Sequence, residues 1–319
     1  MKRKGKATIS LLFLSPMIAE LLSGSAPPVE FFNPIALLFL VLLYGCGSVL
    51  IREAVRRWGK GVPSIILLGG AYGIWEEGVV VKSFFDPNWV DLGILGIYGR
   101  WMGVNWIWAL HLTIYHAVVS VTIPIILVEA IYFDIKDESW LKRREILIFL
   151  TLFLTDSIAI NLLLTQYQPQ IWCYLLCIML ITALVELAYK LPNTSFRGTR
   201  ALPSYKKLWL IGFLWMMSFF FVYWALPYII PYPTVTSLIG ILQGASIAFY
   251  LSRFNWQTAD IKHSLAIIYG IITFFIILAP LQELDNPNRP DDTSGMSLVG
   301  LIFAFLLALI WKRATKQGK

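Results

Sequence analysis

The chain has 319 residues, of which 58% are hydrophobic and only 14% are charged. Its mean hydropathy of +0.70 excludes a soluble globular protein and predicts an all-α, polytopic membrane protein whose partner is the lipid bilayer. The formal net charge of +7 comes from basic residues at the termini and between apolar segments, and this placement argues against nucleic-acid binding.

The first apolar segment follows a basic N-terminus, Met1 to Lys6, which is the layout of a secretory signal. However, Pro16 and Glu20 interrupt the apolar stretch, where a signal peptide needs continuity. We therefore expect a retained first helix that is broken at Pro16.

Ten apolar segments are long enough to cross the roughly 30 Å of a bilayer's hydrocarbon core. Polar residues, Pro and Gly separate them. Together they predict a transmembrane helix bundle in which residues 1–319 form a single integral membrane domain. The segments are 8–23, 34–56, 63–85, 101–131, 146–164, 170–189, 208–228, 233–252, 264–281 and 295–311.

Lys and Arg test this count, because they concentrate in the cytoplasmic loops of multi-pass proteins. When the N-terminus is placed inside, all but three of the 26 basic residues fall in inside segments, including Arg197 and Lys319. The three exceptions are Lys82, Arg100 and Arg289. The sequence thus predicts a multi-pass protein of the cell membrane with cytoplasmic N- and C-termini.

The stretch 63–131 is the candidate functional core. Its centre is Gly73-Ile74-Trp75-Glu76-Glu77-Gly78, which places two adjacent carboxylates inside an apolar segment. A charge at the bilayer centre costs at least about 2.5 kcal/mol, so buried glutamates need partners, protonation or water and mark a candidate site. The next segment carries two histidines, His111 and His116.

Depth estimates bring these groups together. At a rise of about 1.5 Å per residue, Glu76, Glu77 and His111 lie at similar depth on consecutive antiparallel helices, and His116 lies deeper. The two histidines are about 140° apart around their helix, so they are not expected to share a ligand. We expect at least one of the two carboxylates to reach His111 or His116.

Small residues on the third segment favour a close contact between these helices. Gly69 and Gly73 lack a side chain that would hold a neighbouring helix away, so we expect both on a helix contact. Two further carboxylates, Glu20 and Asp156, lie within other apolar segments and are candidates for the same cavity; Asp156 is equally a candidate partner for a neighbouring helix. The loop 86–100 is a candidate cap over it.

A carboxylate pair with histidine supports three chemistries. A glutamate can act as general base on water with histidine as acid or oxyanion donor, or the same groups can pass protons in a transporter. They can also bind a divalent cation, but two Glu and two His without a closely spaced motif such as His-Glu-x-x-His predict no metal site. Alternatively, they only join helices by hydrogen bonds. The residues point to no particular cofactor or substrate.

An adjacent Glu pair on one transmembrane helix with a His on the next resembles the CAAX-protease and bacteriocin-processing family of intramembrane proteases. The first motif of that family is two glutamates, three residues and an Arg. Here Glu76-Glu77 is followed by Gly78-Val79-Val80 and Val81, with Lys82 one position later. The likeness covers residues 63–131.

The second family motif is Phe, three residues and His; here Leu112 stands in the place of Phe before His116, or Ile107 before His111. The third motif is a His followed four residues later by Asn or Asp, and it has no counterpart, because His263 is followed by Ile at that spacing. The resemblance implies a glutamate-activated water that attacks a peptide bond. The alternatives from the residues are a proton-coupled transporter or permease and a non-catalytic helix-bundle partner.

Overall fold

The computed structural model describes residues 2–192, 198–289 and 291–317. Arg197 and Lys319, two of the basic residues assigned to the inside, lie outside these ranges. Within these ranges, ten long helices follow one another. They are α1 Lys2–Leu22, α2 Pro34–Arg57, α3 62–80, α4 Trp106–Ile131, α5 Arg143–Leu164, α6 Ile171–Lys190, α7 Tyr205–Ile229, α8 Pro233–Ser252, α9 Ile261–Leu284 and α10 Met296–Thr315.

The described residues confirm an all-α bundle. Nine of the helices are long and apolar enough to cross a membrane, and α3 is the one that is not among them. Within the described ranges, β structure is confined to a short antiparallel hairpin of β1 (Arg100–Trp101) and β2 (Val104–Asn105), apart from one isolated bridge.

Several helices begin at a residue whose side chain caps the first turn. Asn33 accepts hydrogen bonds from the backbone N–H groups of Ile35 and Ala36 at the start of α2, and Asn105 accepts one from Trp108 at the start of α4. Asp260 does the same for α9. Such caps satisfy backbone donors that the helix leaves unpaired, so they fix where these helices start.

Six of the long helices contain a π-helical segment, in which the hydrogen bonds span one residue more than in an α-helix. In α1, the π segment follows Pro16 directly, so the helix continues there and the expected break is wrong. The segments are Met17–Leu22, Val41–Gly45, Trp75–Val80, His116–Thr122, Ile160–Leu164 and Phe221–Ala225.

The centre of the bundle is α4, because 83% of the residues in an apolar 18-residue stretch of this helix are buried within the protein. In contrast, α5, α6 and α8 bury only 17%, 17% and 11% of theirs, so their apolar side chains face the surroundings. Helix α3 packs against α4 on one side and α6 on another. Any polar group that α3 directs toward α4 therefore enters the interior of the bundle.

The contact between α3 and α4 depends on glycine, as expected. A Cβ atom at Gly69 would lie 2.9 Å from the Cα and O atoms of Ala117, and one at Gly73 would lie 2.9 Å from the Cβ of His116. These distances are shorter than any side chain tolerates without a shift of its neighbour. The two backbones thus approach closely, and Gly73 lies opposite His116.

The connection between α3 and α4 is longer than the sequence suggested. Helix α3 ends at Val80 and not near residue 85, and α4 begins at Trp106 and not near Trp101. Lys82 adopts the left-handed region with φ of 65°, which stops the helix. The intervening residues form a 3-10 turn, Gly93–Gly96, and then the hairpin.

Five charged residues form an ion network at one end of α2 and α4, in which Arg52, Glu53 and Glu129 are buried and Arg57 is exposed. The Nε atoms of Arg52 and Arg56 lie 3.0 Å and 2.8 Å from Oε1 of Glu129. Glu53 pairs with Arg57 at 2.8 Å. The side chain of Glu129 is only 5% exposed, so its charge is compensated by protein groups and not by solvent.

Candidate functional site

The glutamate pair of α3 meets one histidine of α4. Nε2 of His116 lies 3.0 Å from Oε1 of Glu77, and Nδ1 lies 3.4 Å from Oε2 of Glu76. His116 is 2% exposed, Glu77 is 8% exposed and Glu76 is 3% exposed. The expected contact between a carboxylate of this pair and a histidine is thereby confirmed for His116. We call Glu76, Glu77 and His116 the Glu-His cluster.

Both glutamates reach the same imidazole, although adjacent residues of a regular α-helix diverge by about 100°. Each partner stands on a π-helical segment: the glutamates on Trp75–Val80 and the histidine at the start of His116–Thr122. A π turn is wider than an α turn and changes the direction of the side chains that follow, which is one reason why such segments occur at functional sites. The close approach at Gly73 brings the two segments together.

His116 is oriented by a serine of its own helix. Oγ of Ser120 lies 3.0 Å from Nδ1, on the ring side opposite the nitrogen that faces Glu77. The backbone of Ser120 is in turn held by α1, because Ser15 donates a hydrogen bond of 2.8 Å to its carbonyl oxygen. The ring therefore presents Nε2 to Glu77.

Glu77 is oriented from its other oxygen. Ser83, just beyond α3, donates a short hydrogen bond to Oε2, and Trp108 of α4 donates one of 3.0 Å to the Ser83 hydroxyl. This chain fixes the carboxylate plane and leaves Oε1 directed at the imidazole. The connection between α3 and α4 thus supplies Ser83, which orients Glu77.

Two tyrosines and a third carboxylate extend the site toward α1 and α2. Tyr44 donates a short hydrogen bond to Oε1 of Glu20, and the rings of Tyr44 and Tyr72 both lie 6.0 Å from that of His116. Glu20 is half-buried on its π segment. It is therefore part of the wider site, whereas Asp156 is buried elsewhere and does not join the cluster.

The charges of the Glu-His cluster are not balanced by a permanent cation. Among the residues that the structure describes, Glu76 and Glu77 form ion pairs only with His116. The nearby Lys82 donates to the carbonyl oxygens of Asn161 and Thr165 instead. Since an uncompensated buried carboxylate is costly, the pair requires protons or a bound cation.

His111, the other sequence candidate, faces away from the cluster. Its ring stacks on Tyr223 of α7 at 4.8 Å and lies 5.0 Å from Phe219. Within the described chain, neither ring nitrogen has a hydrogen-bond partner. The depth estimate placed His111 beside the glutamates, but Gly73 of α3 packs against His116, and the rotation of α4 directs His111 toward α7.

Three residues of the site were not found from the sequence: Ser120 and Ser83, which orient His116 and Glu77, and Tyr72, whose ring lies 6.0 Å from that of His116. Two of them carried a weak signal, because Ser120 follows His116 by four residues and Tyr72 precedes Glu76 by four, which places each pair on one helix face. Serine and tyrosine are too common in membrane helices for this spacing to single them out. Ser83 carried no signal, since only the turn after α3 brings it back to Glu77.

Comparison with known proteins adds a family. A family model described as "Uncharacterized membrane protein family" matches residues 10–319, a span that includes every residue of the Glu-His cluster. It is not the CAAX-protease family that the glutamate pair resembles. No curated protein and no solved structure matches the chain.

Proposed function

The chain belongs to an uncharacterised family of membrane proteins, and we propose that it is a glutamate-dependent intramembrane hydrolase. The observation that carries this proposal is the buried imidazole of His116 between two carboxylates that lack a Lys or Arg partner in the described structure. Such a group can hold a water molecule, take its proton and return a proton to a leaving group. The resemblance to the CAAX-protease family implies that the bond attacked is a peptide bond.

The contacts suggest different roles for the two glutamates. Glu77 is held by Ser83 and faces Nε2 of His116, so its role is to orient the imidazole. In the described structure, Oε2 of Glu76 has no hydrogen-bond partner, although it is buried. Glu76 is therefore the carboxylate that accepts a proton from water, and His116 is the acid.

The proposal includes the topology. We assign α3 as a tenth membrane-crossing helix, which makes the number of spans even and places both termini on the cytoplasmic side of the cell membrane. Two observations support this: α3 lies antiparallel to the spanning helix α4 in close contact, and the basic residues divide between the two sides only if α3 crosses. The carboxylates of α3, Glu76 and Glu77, then lie inside the bundle.

Peptide cleavage tests the proposal. The purified protein is reconstituted into liposomes and incubated with a library of apolar peptides, and products are identified by mass spectrometry. Glu76→Gln should lower the cleavage rate at least about 100-fold, because Gln keeps the volume but cannot accept the proton. The matched control is Asp156→Asn, which removes a buried membrane carboxylate outside the cluster and should keep activity. Equal activity of wild type and Glu76→Gln would contradict the proposal.

A proton-coupled transporter is the second candidate, favoured by one observation. The hydrogen bond from Tyr44 to Glu20 continues the row of acidic groups from Glu76 toward α1, which a proton path requires. A pH-sensitive dye inside the liposomes distinguishes the two functions: proton uptake that Glu20→Gln abolishes, without peptide cleavage, supports transport. If Glu76→Gln and Glu20→Gln both lower stability, and the wild type neither cleaves peptides nor takes up protons, the remaining function is that of a non-catalytic helix-bundle partner.

A further inference from the structure

We propose that Glu76, Glu77 and His116 bind one divalent first-row transition-metal ion, such as Zn²⁺ or Mn²⁺. This inference rests on the site of the proposed hydrolase and adds an ion that would hold and activate its water; with the ion bound, Glu76 and His116 would be its ligands in place of the base and acid assigned above. The sequence predicted no metal site, because the three residues are not arranged in a short motif. The fold brings one potential ligand atom from each to within 4.8 Å of the others.

The distances suit a common metal ligand sphere. Zn²⁺ binds imidazole nitrogen and carboxylate oxygen at about 2.0–2.2 Å, so two ligand atoms in a tetrahedral site are about 3.4 Å apart. Nε2 of His116 and Oε1 of Glu77 are 3.0 Å apart. The carboxylates would have to turn to bring all three ligand atoms, which lie within 4.8 Å of one another, to this separation, and three protein ligands leave a fourth position for water, as in catalytic zinc sites.

The residues around the cluster hold the ligands as metal sites require. A ligating histidine usually bonds through its second nitrogen to a neighbouring group, which sets the tautomer. Here Ser120 lies 3.0 Å from Nδ1, so Nε2 is the nitrogen left for the ion. Ser83 holds Oε2 of Glu77 and leaves Oε1 for it. The contacts with Ser120 and Ser83 thus leave Nε2 of His116 and Oε1 of Glu77 directed toward each other.

Charge and burial supply the independent reason to expect a cation. The side chain of Glu76 is 4% exposed, and its Oε2 atom has no hydrogen-bond partner among the described residues. Two carboxylates and a neutral imidazole cancel the charge of a divalent ion, so the filled site carries no net charge in the membrane. One nitrogen and two oxygens suit Zn²⁺ or Mn²⁺ better than Mg²⁺ or Ca²⁺, which prefer oxygen alone.

Metal binding can be measured without a substrate. The protein is purified in detergent, stripped with a chelator and dialysed against Zn²⁺ or Mn²⁺ at a series of concentrations, and bound metal is measured by mass spectrometry. Wild type should bind one ion per chain, and Glu77→Gln should bind none at the concentration that saturates wild type. Mn²⁺ is included because the thiols of the three free cysteines do not favour it.

Two further variants separate metal ligation from a general loss of structure. Ser120→Ala keeps all three ligands and should weaken binding about 10- to 100-fold, as expected for a residue that orients a ligating histidine. His111→Gln changes a buried histidine of the same helix outside the cluster and should bind as wild type does. No metal bound by wild type, or as much bound by folded Glu77→Gln as by wild type, would overturn the inference.

The inference and the proposed hydrolase can fail separately. No ion bound by wild type, together with peptide cleavage at a rate that added Zn²⁺ or Mn²⁺ does not change, would overturn the metal site and leave the hydrolase standing. One ion bound per chain with dependence on Glu77 and Ser120, but without cleavage of any peptide, would support the metal site and count against the hydrolase.

Discussion

Replacing Gly69 by alanine should destabilise the protein, whereas the same replacement at the next residue, Gly70, should not. A Cβ at Gly69 would lie 2.9 Å from the Cα and the carbonyl oxygen of Ala117, both backbone atoms of α4. A Cβ at Gly70 would meet only side-chain methyl groups, Cδ1 of Leu184 and Cγ2 of Thr113, each at 3.7 Å, which is ordinary van der Waals contact. The two variants therefore carry the same substitution at adjacent positions of one helix and differ in the atoms that the new Cβ meets.

The size of the difference follows from two opposing effects. Alanine is favoured over glycine in the interior of a helix by about 1 kcal/mol, and this gain applies to both positions. Forcing an extra carbon into a packed contact costs about 1–3 kcal/mol. Because backbone atoms cannot rotate away as a side chain can, Gly69→Ala should carry most of that cost. We expect the free energy of unfolding of Gly69→Ala to be about 2 kcal/mol below that of Gly70→Ala.

Reversible unfolding by sodium dodecyl sulfate in mixed micelles, followed by circular dichroism, measures this difference. Gly70→Ala should be as stable as wild type or slightly more so, and Gly69→Ala should unfold at a lower detergent fraction. If the two variants unfold at the same midpoint, α3 and α4 do not approach as closely at Gly69 as the structure has them, and the reasoning is refuted.

Three other predictions follow from described contacts. Gly73→Ala should cost about as much stability as the change at Gly69 and should also abolish metal binding, because its Cβ displaces the imidazole of the cluster; retained binding in dialysis would contradict this. Glu129→Gln should lower the free energy of unfolding by about 3–5 kcal/mol, since two arginines lose their shared carboxylate, whereas Glu186→Gln in an exposed pair should leave the midpoint unchanged. Cysteine at Ser294 should react with an impermeant thiol reagent on intact cells and cysteine at Thr199 should not; the reverse would refute the proposed topology.

The class of the protein and the course of its helices were readable from the sequence, because apolar length and the positions of Pro, Gly and charged residues determine where a chain can cross a bilayer. The same reasoning located the candidate site. Two glutamates in an apolar segment are so costly that a site for them had to exist near Gly73, and the glycines indicated which face of α3 a neighbour approaches.

The partners of those glutamates were decided by the tertiary structure. Position in the sequence gives the direction of a side chain only relative to the axis of its own helix, and a depth estimate depends on helix ends that are uncertain by a turn. The rotation of α4 about its axis directs His111 toward α7, and the π segments together with the close approach at Gly73 bring His116 to the glutamates.

The orienting groups and the metal-binding geometry come from contacts between distant parts of the chain. Glu77 and His116 are 39 positions apart, and Glu20 reaches the site from the first helix. The rotation of each helix about its own axis is set by how all ten pack together, so no local pattern of spacing contains it. The sequence by itself therefore determined that buried carboxylates lie in α3, and only the packing of the helices decided which imidazole, serines and tyrosines surround them.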